Sequence, residues 1–207
     1  YHCLPANGLL PVPSGLDSAD AVSLVLNYTT AYQMLHRCAH IKSGEFILIH
    51  GAAGGVGTGL LQLGRLRGVE MYGTCSLSKE KIVSELGGNP IDYKSVDFVQ
   101  EIFKHTENGV DVVFDGIGTK SLMRSYKTLR TGGRLIGYGF GSISKNGHRR
   151  THQIVSNVIN WINLLALNLI PDRRKVIPYS IQTLKRRKPD WFREDLQALF
   201  NLLKHQK

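Results

Sequence analysis

The chain has 207 residues, 42% hydrophobic and 20% charged, with 26 Lys plus Arg against 16 Asp plus Glu. That composition excludes a mainly disordered chain, and the length suits one domain with enough sequence to bury a core. The formal net charge of +10 is unevenly placed, since residues 1–141 hold 13 basic and 12 acidic side chains while residues 142–207 hold 13 and 4.

The first fifteen residues, with Pro5, Pro11, Pro13 and Gly15, read as an extended lead-in. Asp17-Ser18-Ala19-Asp20 places acidic groups where a helix begins, and a helix is expected over residues 21–39. A strand at Phe46–His50 feeds a glycine-rich turn and a helix from Gly55 to Arg67. Then follow a strand at Val69–Thr74, a helix at Lys79–Leu86, a short strand at Pro90–Tyr93 and a helix at Val96–His105. Next come a strand at Val110–Asp115, a helix at Ser121–Leu129 and a strand at Arg134–Tyr138. Ile154–Ile170 reads as a buried apolar helix, being short for a membrane span and carrying Asn157, Asn160, Asn163 and Asn168. Val176–Ile181 supplies a sixth strand, and Asp190–Lys204 a closing amphipathic helix. Strands alternating with single helices predict an α/β domain: a doubly wound, Rossmann-type parallel sheet of about six strands with helices on both faces, spanning 1–207 as one unit.

Cys3, Cys38 and Cys75 are too scattered for a disulfide framework or a C-x-x-C metal site. With no basic-then-apolar leader at the start, a reducing cytoplasm is the expected location. The basic clusters Arg149-Arg150, Arg173-Arg174-Lys175 and Lys185-Arg186-Arg187-Lys188 lack interleaved aromatics. They read as a solvated face rather than a nucleic-acid surface, with membrane-surface contact through residues 142–207 left open.

The chemistry concentrates in Phe46-Ile-Leu-Ile-His50-Gly51-Ala-Ala-Gly54-Gly55-Val-Gly57. Glycines between a strand and a helix let backbone approach a phosphate, and the helix start favours an anion such as a pyrophosphate. At the end of the second strand, where an NAD-binding fold places an acid, the chain has Gly73-Thr74-Cys75-Ser76-Leu77-Ser78-Lys79. Ser76 and Lys79 suit a 2′-phosphate, which points to NADP(H), while Ser78 doubles as a candidate cap for the next helix.

These words, with Asn27-Tyr28-Thr29-Thr30-Ala31-Tyr32-Gln33-Met34-Leu35, Asn89-Pro90-Ile91-Asp92-Tyr93, Gly109-Val110-Asp111-Val112-Val113-Phe114-Asp115 and Gly132-Gly133-Arg134-Leu135-Ile136, resemble the nucleotide-binding domain of the medium-chain dehydrogenase/reductase superfamily. The resemblance is to its zinc-free quinone oxidoreductase branch. It implies that Ala53, Gly54, Gly55 and Val56 line the pyrophosphate turn and that Ser76 and Lys79 form the 2′-phosphate pocket. Tyr93 would lie beside the adenosine end and Thr30 near the nicotinamide amide. Gly116, Ile117, Gly139 and Phe140 would form lips along the cofactor.

The resemblance also implies a catalytic domain ahead of this segment, with Tyr1-His2-Cys3 matching that domain's last strand, so that the chain is an excised or truncated unit with an incomplete substrate pocket. It further implies hydride transfer from NADPH to a quinone or α,β-unsaturated carbonyl, and a homodimer through Val155–Ile170 with Trp161. An enoyl-reductase domain of a polyketide or fatty-acid synthase, or a non-catalytic vesicle-associated member, is the alternative. His50 reads as a packed or hydrogen-bonded residue rather than a base. His36 and His40 lack a third metal ligand nearby, and Tyr28 and Tyr32 read as core residues with wet hydroxyls. No Ser-His-Asp or Cys-His arrangement is legible, and no catalytic side chain is assigned.

Overall fold

The computed structural model describes residues 9–139, 162 and 165–205. Asp17 starts the first helix, its carboxylate accepting from the N–H groups of Ala19 at 2.8 Å and Asp20 at 3.1 Å. Those are donors that a helix start leaves without partners. This helix, α1, runs through Ser18–Ser23, a wide π segment at Leu24–Tyr28, an α segment at Thr29–Gln33 and a second π segment at Met34–Cys38. In the first widened stretch the Thr29 hydroxyl donates to the Leu24 carbonyl five residues back at 3.0 Å.

The alternation then unfolds as β1 (Phe46–His50), α2 (Gly55–Arg67), β2 (Glu70–Cys75), α3 (Glu80–Glu85) and β3 (Asn89–Asp92). It continues with α4 (Phe98–His105), β4 (Val110–Asp115), α5 (Thr119–Lys127) and β5 (Leu129–Gly137). Beyond a 3₁₀ turn at Leu167–Leu169 come β6 (Lys175–Pro178), α6 (Ile181–Arg187) and α7 (Pro189–Lys204).

The strands form one six-stranded sheet in the order β3-β2-β1-β4-β5-β6, with every pairing parallel. Chain order reverses between β1 and β4, so a crevice opens there at the carboxyl ends of the strands. Strand alternation divides the core into two layers. Ile47, Ile49, Val112 and Phe114 face a cluster with Met34, Leu35, Leu60, Leu61, Val83, Leu196 and Leu199. Leu48 and Val113, of opposite parity, face Phe98, Ile102, Leu122 and Tyr126. Thus α1, α2, α3 and α7 cover one face while α4 and α5 cover the other, as expected for a doubly wound sheet.

Three local expectations need correction. The sixth strand stops at Pro178, and Ile181 begins α6, because Ser180 turns the chain and its Oγ accepts Thr183 N–H at 3.4 Å. The fifth strand starts at Leu129, ahead of Gly132-Gly133, with an irregular register opposite Val110 and Val112. Ser78 caps nothing; it lies inside the 3₁₀ turn Leu77–Lys79, whose N-cap is Ser76.

The expected helix Ile154–Ile170 and its Trp161 lie largely outside the described residues. Of that stretch, Ile162, Leu165, Leu169 and Ile170 are exposed. Among the described residues no helix is long and apolar enough to cross a membrane.

Candidate functional site

The site grows from the turn between β1 and α2. Gly51 holds φ at +66°, a left-handed conformation that bends the chain sharply off the strand. Gly54 N–H donates back to the Gly51 carbonyl at 2.9 Å, and Gly54 then serves as N-cap without a side-chain bond. The first N–H groups of α2 are therefore left uncapped at the positive end of the helix dipole.

Close approach explains the next two glycines. A Cβ on Gly57 would strike the carbonyls of Gly51 and Ala52, and one on Gly55 would strike the Asn27 carboxamide. Asn27 reaches this point because α1 packs across α2. The turn is thus a tight backbone cradle with Asn27 along its rim, and that chemistry suits a pyrophosphate.

The other expected residues are strung along the same edge of the sheet. Past β2, Ser76 is half-buried with its Oγ 3.3 Å from Ser78 Oγ, and Lys79 is exposed. Past β3, Tyr93 is exposed and its N–H donates to the Cys75 carbonyl at 3.3 Å. Past β4, Gly116 packs on the Tyr138 ring, and Ile117 is 59% exposed. Past β5, Gly139 lies so near that a Cβ on it would come 3.1 Å from the Gly116 carbonyl. Phe140 lies outside the described residues.

Ala53 and Val56 are half-buried against the core cluster of α1 and α2. Thr30 is buried, beside the hydroxyl of Tyr179 just beyond β6. Burial pushes the Tyr179 hydroxyl well above its ordinary range, so it stays protonated; it donates to Gln33 Oε1 at 2.8 Å.

Beneath the crevice lies a polar cluster that sequence reasoning did not assemble. His50 Nδ1 is 3.0 Å from Thr74 Oγ1, and His50 Nε2 is 2.9 Å from Ser125 Oγ. Asp115 accepts from the hydroxyls of Ser121 at 2.6 Å and Ser125 at 2.7 Å, and from Ile117 N–H at 2.9 Å. Burial holds the His50 pKa below its ordinary value, although Asp115 pulls it up; Arg124 adds to the lowering. The packed, hydrogen-bonded reading of His50 matches this geometry. Asp115 ends β4, but no spacing rule along the chain connects it to His50 or Ser125.

His36 accepts at Nδ1 from Arg67 Nη2 at 3.1 Å, whereas His40 is exposed at a positive φ. Among the described residues no group of three or more His, Cys, Asp or Glu side chains is arranged to hold a metal ion. A separate cavity of about 420 Å³ lies between α1, α2 and α7, lined by Leu24, Tyr28, Leu63 and Leu199, away from the strand ends.

The family model described as zinc-binding dehydrogenase matches residues 55–178. The synaptic vesicle membrane protein VAT-1 homolog of Rattus norvegicus is 32% identical over 180 residues, covering 86% of this chain and 45% of that protein. The quinone oxidoreductase of Homo sapiens is 30% identical over 151 residues, covering 72% and 46% respectively. Among solved structures, the CurK enoyl reductase superposes with a TM-score of 0.73 at 28% identity, over 94% of this chain and 54% of that one. The chain spans less than half the length of these two curated relatives.

Proposed function

The chain belongs to the zinc-binding dehydrogenase family, in the quinone-oxidoreductase-like branch of the medium-chain dehydrogenase/reductase superfamily, and on that premise we propose that it is the NADPH-binding domain of a zinc-independent reductase. One observation carries the reading. Tyr93, Ser76 with Lys79, the Gly51–Gly57 turn, Gly116 with Ile117, and Gly139 follow strands in the spatial order β3-β2-β1-β4-β5. That order supports reading these residues as an adenosine end, a 2′-phosphate pocket, a pyrophosphate cradle and a nicotinamide lip along one crevice.

When bound, NADPH supplies the hydride for a quinone or for the β-carbon of an α,β-unsaturated carbonyl. The protein's part is to hold and orient. The uncapped N–H groups of α2 take the pyrophosphate, and the Lys79 ammonium with the Ser76 hydroxyl takes the 2′-phosphate. No carboxylate from Asp or Glu intervenes between Cys75 and Lys79 to repel that group. The proposal includes a cytoplasmic homodimer, its copies meeting across the exposed Ile162, Leu165, Leu169 and Ile170.

The test is a thermal-shift titration of this chain with NADPH and NADH in parallel. At about 100 times the dissociation constant, a ligand should add roughly 2.7 kcal/mol of stability. An NADPH-selective shift is expected, and no shift with either cofactor would refute the reading for this chain.

A second reading is a non-catalytic member that contacts vesicle membranes. It is favoured by the longer match to the VAT-1 homolog, 180 residues against 151 for the human quinone oxidoreductase. The basic run Lys185-Arg186-Arg187-Lys188, exposed at the end of α6, would meet anionic lipid. Salt-sensitive sedimentation with anionic vesicles supports it, and none at low salt removes it. The similarity to CurK keeps an enoyl-reductase domain as the alternative within enzymes, to be separated by turnover with an enoyl thioester.

A further inference from the structure

An unbroken line of hydrogen bonds runs from the glycine turn, under the crevice, to the lip beyond β4. Gly51 N–H donates to Thr74 Oγ1 at 3.2 Å, Thr74 Oγ1 meets His50 Nδ1, and His50 Nε2 meets Ser125 Oγ. Ser125 then donates to one oxygen of Asp115, whose other oxygen accepts Ile117 N–H. The four side chains in the line are all buried, at 3% exposure or less.

Counting protons sets the direction of every bond. Ser125 has one hydroxyl proton and gives it to Asp115, a carboxylate that only accepts. The proton between His50 and Ser125 must therefore come from Nε2. In the neutral ring Nδ1 is then bare, and the Thr74 hydroxyl donates to it while accepting from Gly51. One tautomer satisfies every group, and we assign it on that ground.

We propose that His50, as the neutral Nε2–H tautomer, is a positioning residue that couples the two lips of the crevice, holding the Gly51 turn through Thr74 and the Ile117 lip through Ser125 and Asp115. What the crevice holds rests on the cofactor reading above; the coupling itself does not. A protonated ring would make the Thr74 oxygen accept from both Nδ1–H and Gly51 N–H and would take from the buried Thr74 hydroxyl proton its acceptor in the line. Around the ring, Phe98 stands nearly perpendicular to His50 with ring centroids 4.7 Å apart, and Arg124 lies over that same Phe98 and pairs with Asp97. Asp115 on β4 is the anion joined to the ring through Ser125. Burial and Arg124 oppose a charge on His50, while Asp115 favours it.

The experiment is nitrogen-15 NMR of the whole chain at neutral pH, which reads the His50 tautomer directly and needs no variant. A bare Nδ1 and a protonated Nε2 are expected, and the opposite tautomer overturns the proposal. Thr74→Val then removes the hydroxyl and keeps the shape. The Ile117 amide resonance, two strands away, should shift, and NADPH affinity should fall at least about fivefold, with Thr74→Ser restoring both. An unmoved Ile117 amide in folded Thr74→Val would mean packing alone and overturn the coupling. If the parent chain does not bind NADPH, the cofactor reading fails, while the tautomer and the Ile117 shift still decide this proposal.

Discussion

Arg134 of β5 grips the Glu45 carboxylate with both guanidinium arms, Nη1 to Oε1 at 3.0 Å and Nη2 to Oε2 at 2.7 Å. Its Nε also donates to the Ala39 carbonyl at 2.6 Å, so one side chain ties the fifth strand to the segment that leads into β1. Burial pushes the Glu45 carboxyl up, but the Arg134 bonds and the Lys42 N–H outweigh it and hold the pKa below its ordinary value. The stabilisation is thus present above the ordinary carboxylate range and lost as pH falls through the lowered value. Arg134→Ala should cost about 3 kcal/mol by chemical denaturation, since it strands a largely buried charge, and Glu45→Ala on top should recover part of it. A loss under about 0.5 kcal/mol would put the pair among weak surface bridges.

Gly57 has backbone on the side where a Cβ would project. Gly57→Ala should push α2 away from the Gly51–Ala52 peptide, lower stability by about 1–3 kcal/mol and abolish the NADPH-dependent thermal shift. Unchanged cofactor binding in this variant would show that the turn is not the pyrophosphate cradle.

Lys79 is exposed and forms no ion pair with any described acid, so its removal should leave the fold intact. Lys79→Ala is expected to weaken NADPH binding about tenfold, in line with one charge-assisted contact, with NADH affinity hardly changed. Equal losses for the two cofactors, measured by calorimetry, would remove the 2′-phosphate role.

His36 sets a pH dependence of stability. Burial, helped by the charges of Arg67 and Arg37, lowers its pKa from 6.5 to about 4. Between those values the unfolded chain binds a proton that the folded chain does not, so stability falls as pH drops through the window. His36→Gln should flatten that acid limb by roughly 1 kcal/mol after solvent screening, read from denaturant midpoints at several pH values. Superimposable profiles for the two chains would show that His36 titrates normally.

Much of this was legible in the residues alone. Phe46–His50, Gly55–Arg67 and Val110–Asp115 are recovered with the same bounds, because a buried parallel strand or a glycine-started helix is a local pattern. The end of β6 was not, since Val176, Ile177 and Ile181 read as one apolar run and the stop depends on Ser180 capping a helix. The loops expected to hold the cofactor do fall at one edge, as the βα alternation requires. What the sequence by itself determined was the parallel alternation, the glycine turn and the absence of an acid between Cys75 and Lys79. Only the tertiary structure could decide that His50, Thr74, Ser125 and Asp115 meet in one line, or that Arg134 closes on Glu45, 89 positions away. These contacts join strands and helices distant in the chain, so they exist only once the sheet order and register place their ends together, and no spacing along the chain encodes that.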